Sequence, residues 1–317
     1  MKTDGWVRPV EMTEAGPLNY CMYCETPEQS QSDRSDLEDE HVIPYFLAGY
    51  VLLKKSSCRK CAKITSAFEG SLSDTVFLSL RKKAKLQSRT EEDGRSKRKK
   101  DKMVYAIISE NGVDREVKVS PTDIPNIAPF LSFGIAGIQS NALPSNEIDP
   151  KKISVECCDV SRVSQIPAPT IGQYIIHVDW RKMLQLYAKI ALGVMRSLRE
   201  FEGFEPLVQS SILTGDYVSY FVGEGKVNND LSADPSRWGS PVSSEIMVLP
   251  HDPGSEYLVM HVHIFYPLNP KCLAVFVGRR PNVKATLHQQ YCRLKMPDYS
   301  RAPTQPPALI RVRMGVG

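Results

Sequence analysis

The sequence lacks the long apolar segments that carry proteins into or across membranes. No apolar run approaches the roughly 18–20 residues that a membrane-spanning helix needs. The opening segment, Met1 to Trp6, is polar and lacks the apolar centre of a signal peptide. No internal repeat is present either. These absences favour a cytoplasmic protein over a membrane or secreted one.

What the chain does contain is typical of a globular protein. Its 317 residues suffice for two domains of ordinary size. Hydrophobic residues make up 42% and charged residues 24%, within the range of folded domains. The chain also has 8 cysteines, and in a cytoplasmic protein paired cysteines are more often metal ligands than disulfides.

Four of the cysteines fall in two Cys-x-x-Cys pairs. The first is Cys21 with Cys24, and the second is Cys58 with Cys61. A tight turn between the members of each pair brings their two sulfurs together. Four thiolates around one ion form the closed tetrahedral site of structural Zn²⁺. The stretch between the pairs is longer than in an ordinary zinc ribbon, which indicates that it contains a further functional motif.

The sequence between the pairs contains an acidic residue followed by a histidine, Glu40-His41. We predict a short strand from Asp39 to Ile43 that stops at Pro44, because β-branched residues precede the proline. A second short strand is predicted at 51–53, and a helix follows from Ala62 onward. The predicted order is therefore hairpin, then helix, with a zinc site fastening the ends.

This order of residues resembles the HNH endonucleases, the ββα-metal superfamily, in the branch with two zinc-binding Cys-x-x-Cys pairs. The family pattern places an acidic residue and a histidine, an apolar residue or two, a proline and a glycine-containing turn between the pairs. Glu40, His41, Pro44 and Gly49 fit that pattern, and the resemblance covers about residues 18–86. It implies an α+β protein with an N-terminal zinc-stapled ββα domain that hydrolyses phosphodiester bonds, most of all in DNA.

The resemblance also implies roles for Glu40 and His41. His41 would be the general base that deprotonates water, because an unperturbed imidazole titrates near neutral pH. Glu40 would be a ligand of a catalytic Mg²⁺ or Mn²⁺, which neutralises charge that develops on the phosphate. Side chains alternate along an ideal strand, so both residues serve one centre only at a twist or at the strand's end.

One position departs from the family pattern. In the family, an asparagine that coordinates the catalytic metal usually follows the last cysteine. This chain has Ala62 there, which has no donor atom. Glu69 lies two turns further along the same helical face and is the best remaining carboxylate. Either another residue serves, or cleavage is weakened or lost. The loss could be a deliberate inactivating substitution or natural drift.

Basic residues concentrate after this motif, between Arg81 and Lys102. Such a cluster suits a polyanion, since phosphate contacts dominate nucleic-acid affinity, although a solvated linker has the same composition. The candidate nucleic-acid-binding residues are Arg59, Lys60, Lys63, Arg81, Lys82, Lys83, Lys97, Arg98, Lys99 and Lys100.

We predict three segments: an HNH domain with structural zinc at 1–88, a basic linker at 89–102, and an α+β domain at 103–317. The last segment would bind substrate, sense a signal or bind a partner. Its clearest element is an amphipathic helix from about Arg181 to Glu202, ended by Gly203, on a mostly antiparallel sheet. Strands are predicted at 103–108, 113–119, 174–178, 217–223, 246–249, 257–265 and 272–277, with loops at 121–150 and 228–241.

The sequence therefore predicts a metal-dependent endonuclease acting on DNA, of the kind that serves in restriction or phage defence. Three rivals stay open. One is a nucleic-acid-binding protein that has lost cleavage, and another is a subunit that is silent until a small molecule or protein binds its second domain. The third is a purely structural zinc protein. Since a ββα domain has one active site, cutting both strands would require a homodimer or two passes.

Overall fold

The structure of the protein, a computed structural model, describes residues 13–27, 37–47, 51–83, 104–110, 113–121, 127–132, 134–146, 154–159, 172–198, 203–225, 243–250, 257–266, 272–279, 290–295 and 310–315. Helices and antiparallel sheets both contribute, which confirms the α+β class. No helix in these ranges is long and apolar enough to cross a bilayer.

The first part is a three-stranded sheet followed by a helix. Its strands are β1 (Thr13–Ala15), β2 (Glu38–His41) and β3 (Val51–Ser57), and its helix is α1 (Arg59–Ser73). β3 lies in the centre, parallel to β1 and antiparallel to β2. The β2–β3–α1 order confirms the predicted hairpin and helix.

α1 begins three residues earlier than the predicted start at Ala62. Cys58 has extended backbone angles, φ −74° and ψ 152°, and forms the N-cap, so the helix starts directly after it. The buried face is built from Cys61, Thr65, Phe68 and Leu72, which repeat at intervals of three and four residues. A short second helix follows, α2 (Leu78–Lys83).

The second part is organised around the long helix α3 (Trp180–Ser197), which packs on β12 (Tyr257–Tyr266) and β13 (Leu273–Arg279). The Asp179 side chain caps it by accepting a hydrogen bond from the Lys182 N–H at 3.2 Å. The helix ends at Ser197, before the predicted Glu202. Neighbouring strands complete a six-stranded sheet: β9 (Glu205–Pro206), β10 (Val222–Glu224), β11 (Ser243–Pro250) and β14 (Gln290–Lys295).

All strand pairs in the six-stranded sheet are antiparallel, in the order β10-β13-β12-β11-β14 with β9 beside β13. This arrangement confirms a long helix on a mostly antiparallel sheet. The predicted strands at 246–249, 257–265 and 272–277 all fall within it.

Two smaller sheets complete the described structure. One has the order β15-β8-β4-β5, formed by β4 (Val104–Glu110), β5 (Val113–Val119), β8 (Gly172–Asp179) and β15 (Ile310–Gly315). The other pairs β6 (Ile127–Ser132) with β7 (Ser154–Asp159). The predicted β4–β5 hairpin is confirmed. β6 is a strand inside a stretch predicted to be loop, and the predicted loop at 228–241 lies outside the described residues.

The strand predicted at 217–223 is wrong for most of its length. A short helix, α5 (Val218–Phe221), occupies most of this region, and another short helix, α4 (Gln209–Thr214), precedes it. Gly215 ends α4 in the left-handed conformation at φ 79°, and Tyr217 precedes α5 at φ 54°. These two backbone turns replace the extended conformation that the β-branched and aromatic composition favoured.

The core runs through both parts of the chain. One continuous cluster of buried side chains contains Cys21 and Phe68 from the first part and Met183 and Val275 from the second. The division into segments at 88 and 102 stays a prediction. The ββα region therefore shares its interior with α3.

Candidate functional site

The four paired cysteines converge on one point. Their sulfur atoms all lie within 4.8 Å of one another, and those of Cys24 and Cys58 are 3.9 Å apart. A tetrahedral Zn²⁺ with bonds of about 2.3 Å places its sulfurs roughly 3.8 Å apart. The donor set and its spacing therefore fit one zinc ion, which would link the Cys21–Cys24 turn to the end of β3 and the start of α1.

Backbone hydrogen bonds hold the first cysteine pair in its turn. The Cys21 N–H donates to the Thr26 carbonyl at 2.9 Å, and the Glu25 N–H donates to the Cys21 carbonyl at 2.7 Å. Glu25 adopts a left-handed conformation at φ 56°, which reverses the chain. The Met22 N–H donates to the Ser56 carbonyl at 2.8 Å, so β3 carries the first pair beside the second.

The cysteine cluster favours one thiolate even without a metal. The hydrogen bond that Cys61 donates lowers the pKa of Cys21 to about 5, against burial, which acts in the opposite direction. The same bond, together with burial, raises the pKa of Cys61. Burial also raises the pKa of the Cys58 thiol. Because thiolates are the form that binds zinc, binding of the ion would release the protons that Cys58 and Cys61 keep.

Side chains from the second part of the chain hold the first cysteine pair in place. The Arg196 guanidinium donates to Glu25 Oε1 at 2.5 Å and to the Tyr20 hydroxyl at 3.1 Å. It also lies over the Phe204 ring, 4.6 Å from the centroid. Gln209 donates from its side-chain amide to the Met22 carbonyl at 2.7 Å. The zinc ligands are thus supported by α3 and α4 as well as by their own segment.

Glu40 and His41 form the end of β2. The Cα partners of Glu40 and His41 on β3 are Leu53 and Leu52. Glu40 is buried, whereas His41 is half-buried and its ring meets Tyr45 edge-on at a centroid distance of 5.6 Å. His41 is the last residue of the strand, a place where the alternation of side chains relaxes.

Glu40 and Glu69 come together, and a lysine lies between them. Lys189 Nζ on α3 is 2.9 Å from Glu40 Oε1 and 2.8 Å from Glu69 Oε1. The same ammonium donates a hydrogen bond to the His41 backbone carbonyl. Lys189 is 0% exposed. Burial lowers its pKa, but the charges of the two glutamates outweigh that effect and raise it above its usual value, so the ammonium is charged.

These residues do not fit a catalytic Mg²⁺ or Mn²⁺ in the arrangement observed. The Lys189 ammonium lies where the carboxylate oxygens converge, and Ala62 on α1 has no ligand atom to add. Mg²⁺ keeps several waters and is usually held by one or two carboxylates, so the ammonium that pairs with both glutamates is the obstacle to its binding. Among the described residues, the cysteine cluster is the one group of three or more His, Cys, Asp or Glu side chains placed to hold a metal.

The predicted nucleic-acid-binding residues divide into three sets. Arg59, Lys60 and Lys63 are exposed on the first turns of α1, and we call these three residues the α1 basic surface. Arg81 is only 5% exposed and points toward Asp74 at 3.9 Å, so it does not belong to an exposed surface, and Lys82 is half-buried. The Lys83 side chain and the candidates Lys97, Arg98, Lys99 and Lys100 lie outside the described residues.

Sequence reasoning missed Lys189, although the chain carried a signal for it. Lys189 stands between Ala188 and Ile190, in the middle of the apolar stripe that predicted α3. A lysine is almost never fully buried unless a partner of opposite charge accompanies it. The stripe therefore called for one or two carboxylates elsewhere in the chain, and these are Glu40 and Glu69.

The chain matches no protein-family model, no curated protein and no solved structure. The four-cysteine cluster and the ββα order that the structure shows are the features it shares with HNH endonucleases.

Proposed function

We propose that this protein binds nucleic acid through a zinc-stabilised ββα module of HNH type and does not cleave it by metal-dependent chemistry. The observation that carries the proposal is the position of the α1 basic surface. Arg59 and Lys60 lie between the zinc ligands Cys58 and Cys61, so the ion that fixes the sulfurs also fixes these cations. Lys63 extends the charge to the next turn.

The placement of these cations costs stability in the absence of an anion. The N-terminus of a helix carries a partial positive charge and exposes unpaired N–H groups, which attract anions and repel cations. The first turn of α1 contains no acidic residue and two basic ones. A bound phosphate would offset this repulsion, and regularly spaced phosphates are what DNA and RNA provide.

Binding is tested by fluorescence anisotropy with labelled duplex DNA, single-stranded DNA and RNA across a salt series. The double variant Arg59→Ala/Lys60→Ala is compared with Arg115→Ala/Lys118→Ala, which removes one arginine and one lysine that are exposed on β5. The two variants have equal net charge. We expect the α1 variant alone to weaken binding, and to reduce the slope of log K against log salt by about 1–2 on duplex DNA. Equal binding by both variants would refute the proposal.

A second candidate is phosphodiester hydrolysis, which the Glu40-His41 pair favours. The half-buried His41 imidazole could take a proton from water at the end of β2. Nicking of supercoiled plasmid by the wild type with Mg²⁺ or Mn²⁺, lost in His41→Ala, would favour this candidate. Absence of nicking would favour binding without cleavage.

A further inference from the structure

We infer that Glu40, Glu69 and the His41 carbonyl form a cation site whose resident cation is the Lys189 ammonium, held there in place of a divalent metal ion. This site is separate from the zinc cluster, and the inference does not depend on nucleic-acid binding. The helix α3, in the second part of the chain, thereby supplies the positive charge that neutralises Glu40 and Glu69 of the ββα region.

The three oxygens come from three residues on two elements of the fold, β2 and α1. Glu40 projects from β2, Glu69 projects from α1, and the His41 carbonyl belongs to the end of β2. Three oxygens converging on one buried point are the beginning of a site for a hard cation. The Lys189 ammonium donates a hydrogen bond to the His41 carbonyl and forms ion pairs with Glu40 Oε1 at 2.9 Å and Glu69 Oε1 at 2.8 Å.

Because the ammonium already pairs with these three oxygens, a substrate phosphate would have to compete with all of them. The residue is also fully buried, so a phosphate could reach its ammonium only after α3 moved. Lys189 therefore differs from a phosphate-binding lysine, which presents its ammonium to solvent. Its role in this arrangement is to neutralise the two carboxylates from inside the protein.

A tethered ammonium has a large advantage over a free cation. α3 is buried along most of its length, from Met183 to Met195, and therefore holds Lys189 at the site permanently. A tethered group has a high effective concentration at its site. A dissolved ion displaces it only if the ion's affinity for the site is much higher. Mn²⁺ or Mg²⁺ would need to displace the ammonium and leave it buried without a partner, which is strongly unfavourable.

The test uses the full zinc-loaded chain and Mn²⁺ alone, with free Mn²⁺ followed by its electron paramagnetic resonance signal. The wild type is compared with Glu40→Gln and Glu69→Gln. We expect the wild type to bind no Mn²⁺ at this site. Any Mn²⁺ that it binds elsewhere should be bound equally by Glu40→Gln and Glu69→Gln. Wild-type binding of Mn²⁺ that is lost in Glu40→Gln would overturn the inference, whatever the nucleic-acid assays show.

The second arm removes the resident cation. Lys189→Ala is expected to bind one Mn²⁺ per chain, to be stabilised by it in a thermal melt, and to lose both effects when Glu40→Gln is added. Lys182→Ala is the matched control, because Lys182 lies on the same helix and pairs with Asp179 instead. Folded Lys189→Ala protein that binds no Mn²⁺ would contradict the inference. If Lys189→Ala does not fold, Lys189→Met replaces it, because methionine nearly keeps the side-chain volume. If Lys189→Met does not fold either, the comparison of wild type with Glu40→Gln and Glu69→Gln decides.

Discussion

Gly193 lies directly against Val42: a Cβ atom added to the glycine would be 3.0 Å from Val42 Cγ1 and 3.3 Å from both Val42 Cβ and Cγ2. Gly193 is one helical turn beyond Lys189, and Val42 is the residue after His41. The missing side chain thus lets α3 approach the end of β2 closely. That approach is what brings the Lys189 ammonium within reach of the His41 carbonyl.

The first prediction concerns the two helical glycines Gly193 and Gly70. Alanine is favoured over glycine in a helix by about 1 kcal/mol, but overpacking a core costs roughly 1–3 kcal/mol. Nothing lies within 4 Å of a Cβ at Gly70, whereas Val42 at the other site is fully buried. We expect Gly70→Ala to raise the free energy of unfolding by about 0.5–1 kcal/mol and Gly193→Ala to lower it by about 1 kcal/mol. Urea denaturation measures both, and equal effects would contradict the close approach.

The second prediction concerns zinc content. Purified protein should contain one zinc per chain by elemental analysis, and a strong chelator should lower its melting temperature, because metal binding and folding are coupled. Cys58→Ser should lose the zinc. Cys272→Ala should keep it, since that buried cysteine belongs to the other sheet and not to the cluster. Zinc retained by the serine variant would show that the four sulfurs do not share one ion.

The third prediction concerns Arg196, which supports the zinc ligands without touching the sulfurs. Arg196→Met removes the bonds to Glu25 and Tyr20, so zinc should pass to a coloured chelator roughly tenfold faster. Arg196→Lys should give part of this effect, because an ammonium lacks the planar fork that serves both partners. Arg181→Met, on the same helix but bonded to the Asn146 carbonyl, is the control and should leave zinc release unchanged.

The fourth prediction concerns alkaline pH. Burial raises the pKa of the Cys272 thiol from its ordinary 9 to about 11. Between these values the unfolded chain loses the thiol proton and the folded chain keeps it, so stability is complete below pH 9 and falls as pH rises toward 11. The loss from this group is about 2–3 kcal/mol. Urea denaturation of wild type and Cys272→Ala at pH 8 and pH 10.5 should give a smaller decline in the alanine variant, and parallel declines would contradict it.

The sequence predicted the features that depend on local pattern. The cysteine pairs, the hairpin that carries Glu40 and His41, and the apolar stripe of α3 each follow from spacing along one segment. The choice of Glu69 as the carboxylate to accompany Glu40 followed from its place two turns beyond Ala62 on the same predicted helical face.

The cation between those carboxylates could not be predicted in the same way. Lys189 reaches Glu40 only because α3 packs against the end of β2, a contact between residues far apart in the chain. The strand predicted at 217–223 fails for a related reason. Its β-branched and aromatic composition suits a strand, but the chain turns through left-handed conformations at Gly215 and Tyr217 before it forms α5.

The place of Lys189 late in the chain has a consequence for synthesis. On the ribosome, Glu40 and Glu69 emerge well before Lys189, and early segments begin to fold while later ones are still being made. Until α3 is made, the two acids lack their ammonium and the ββα region also lacks the part of the core that this helix supplies, so that region reaches its finished arrangement only afterwards.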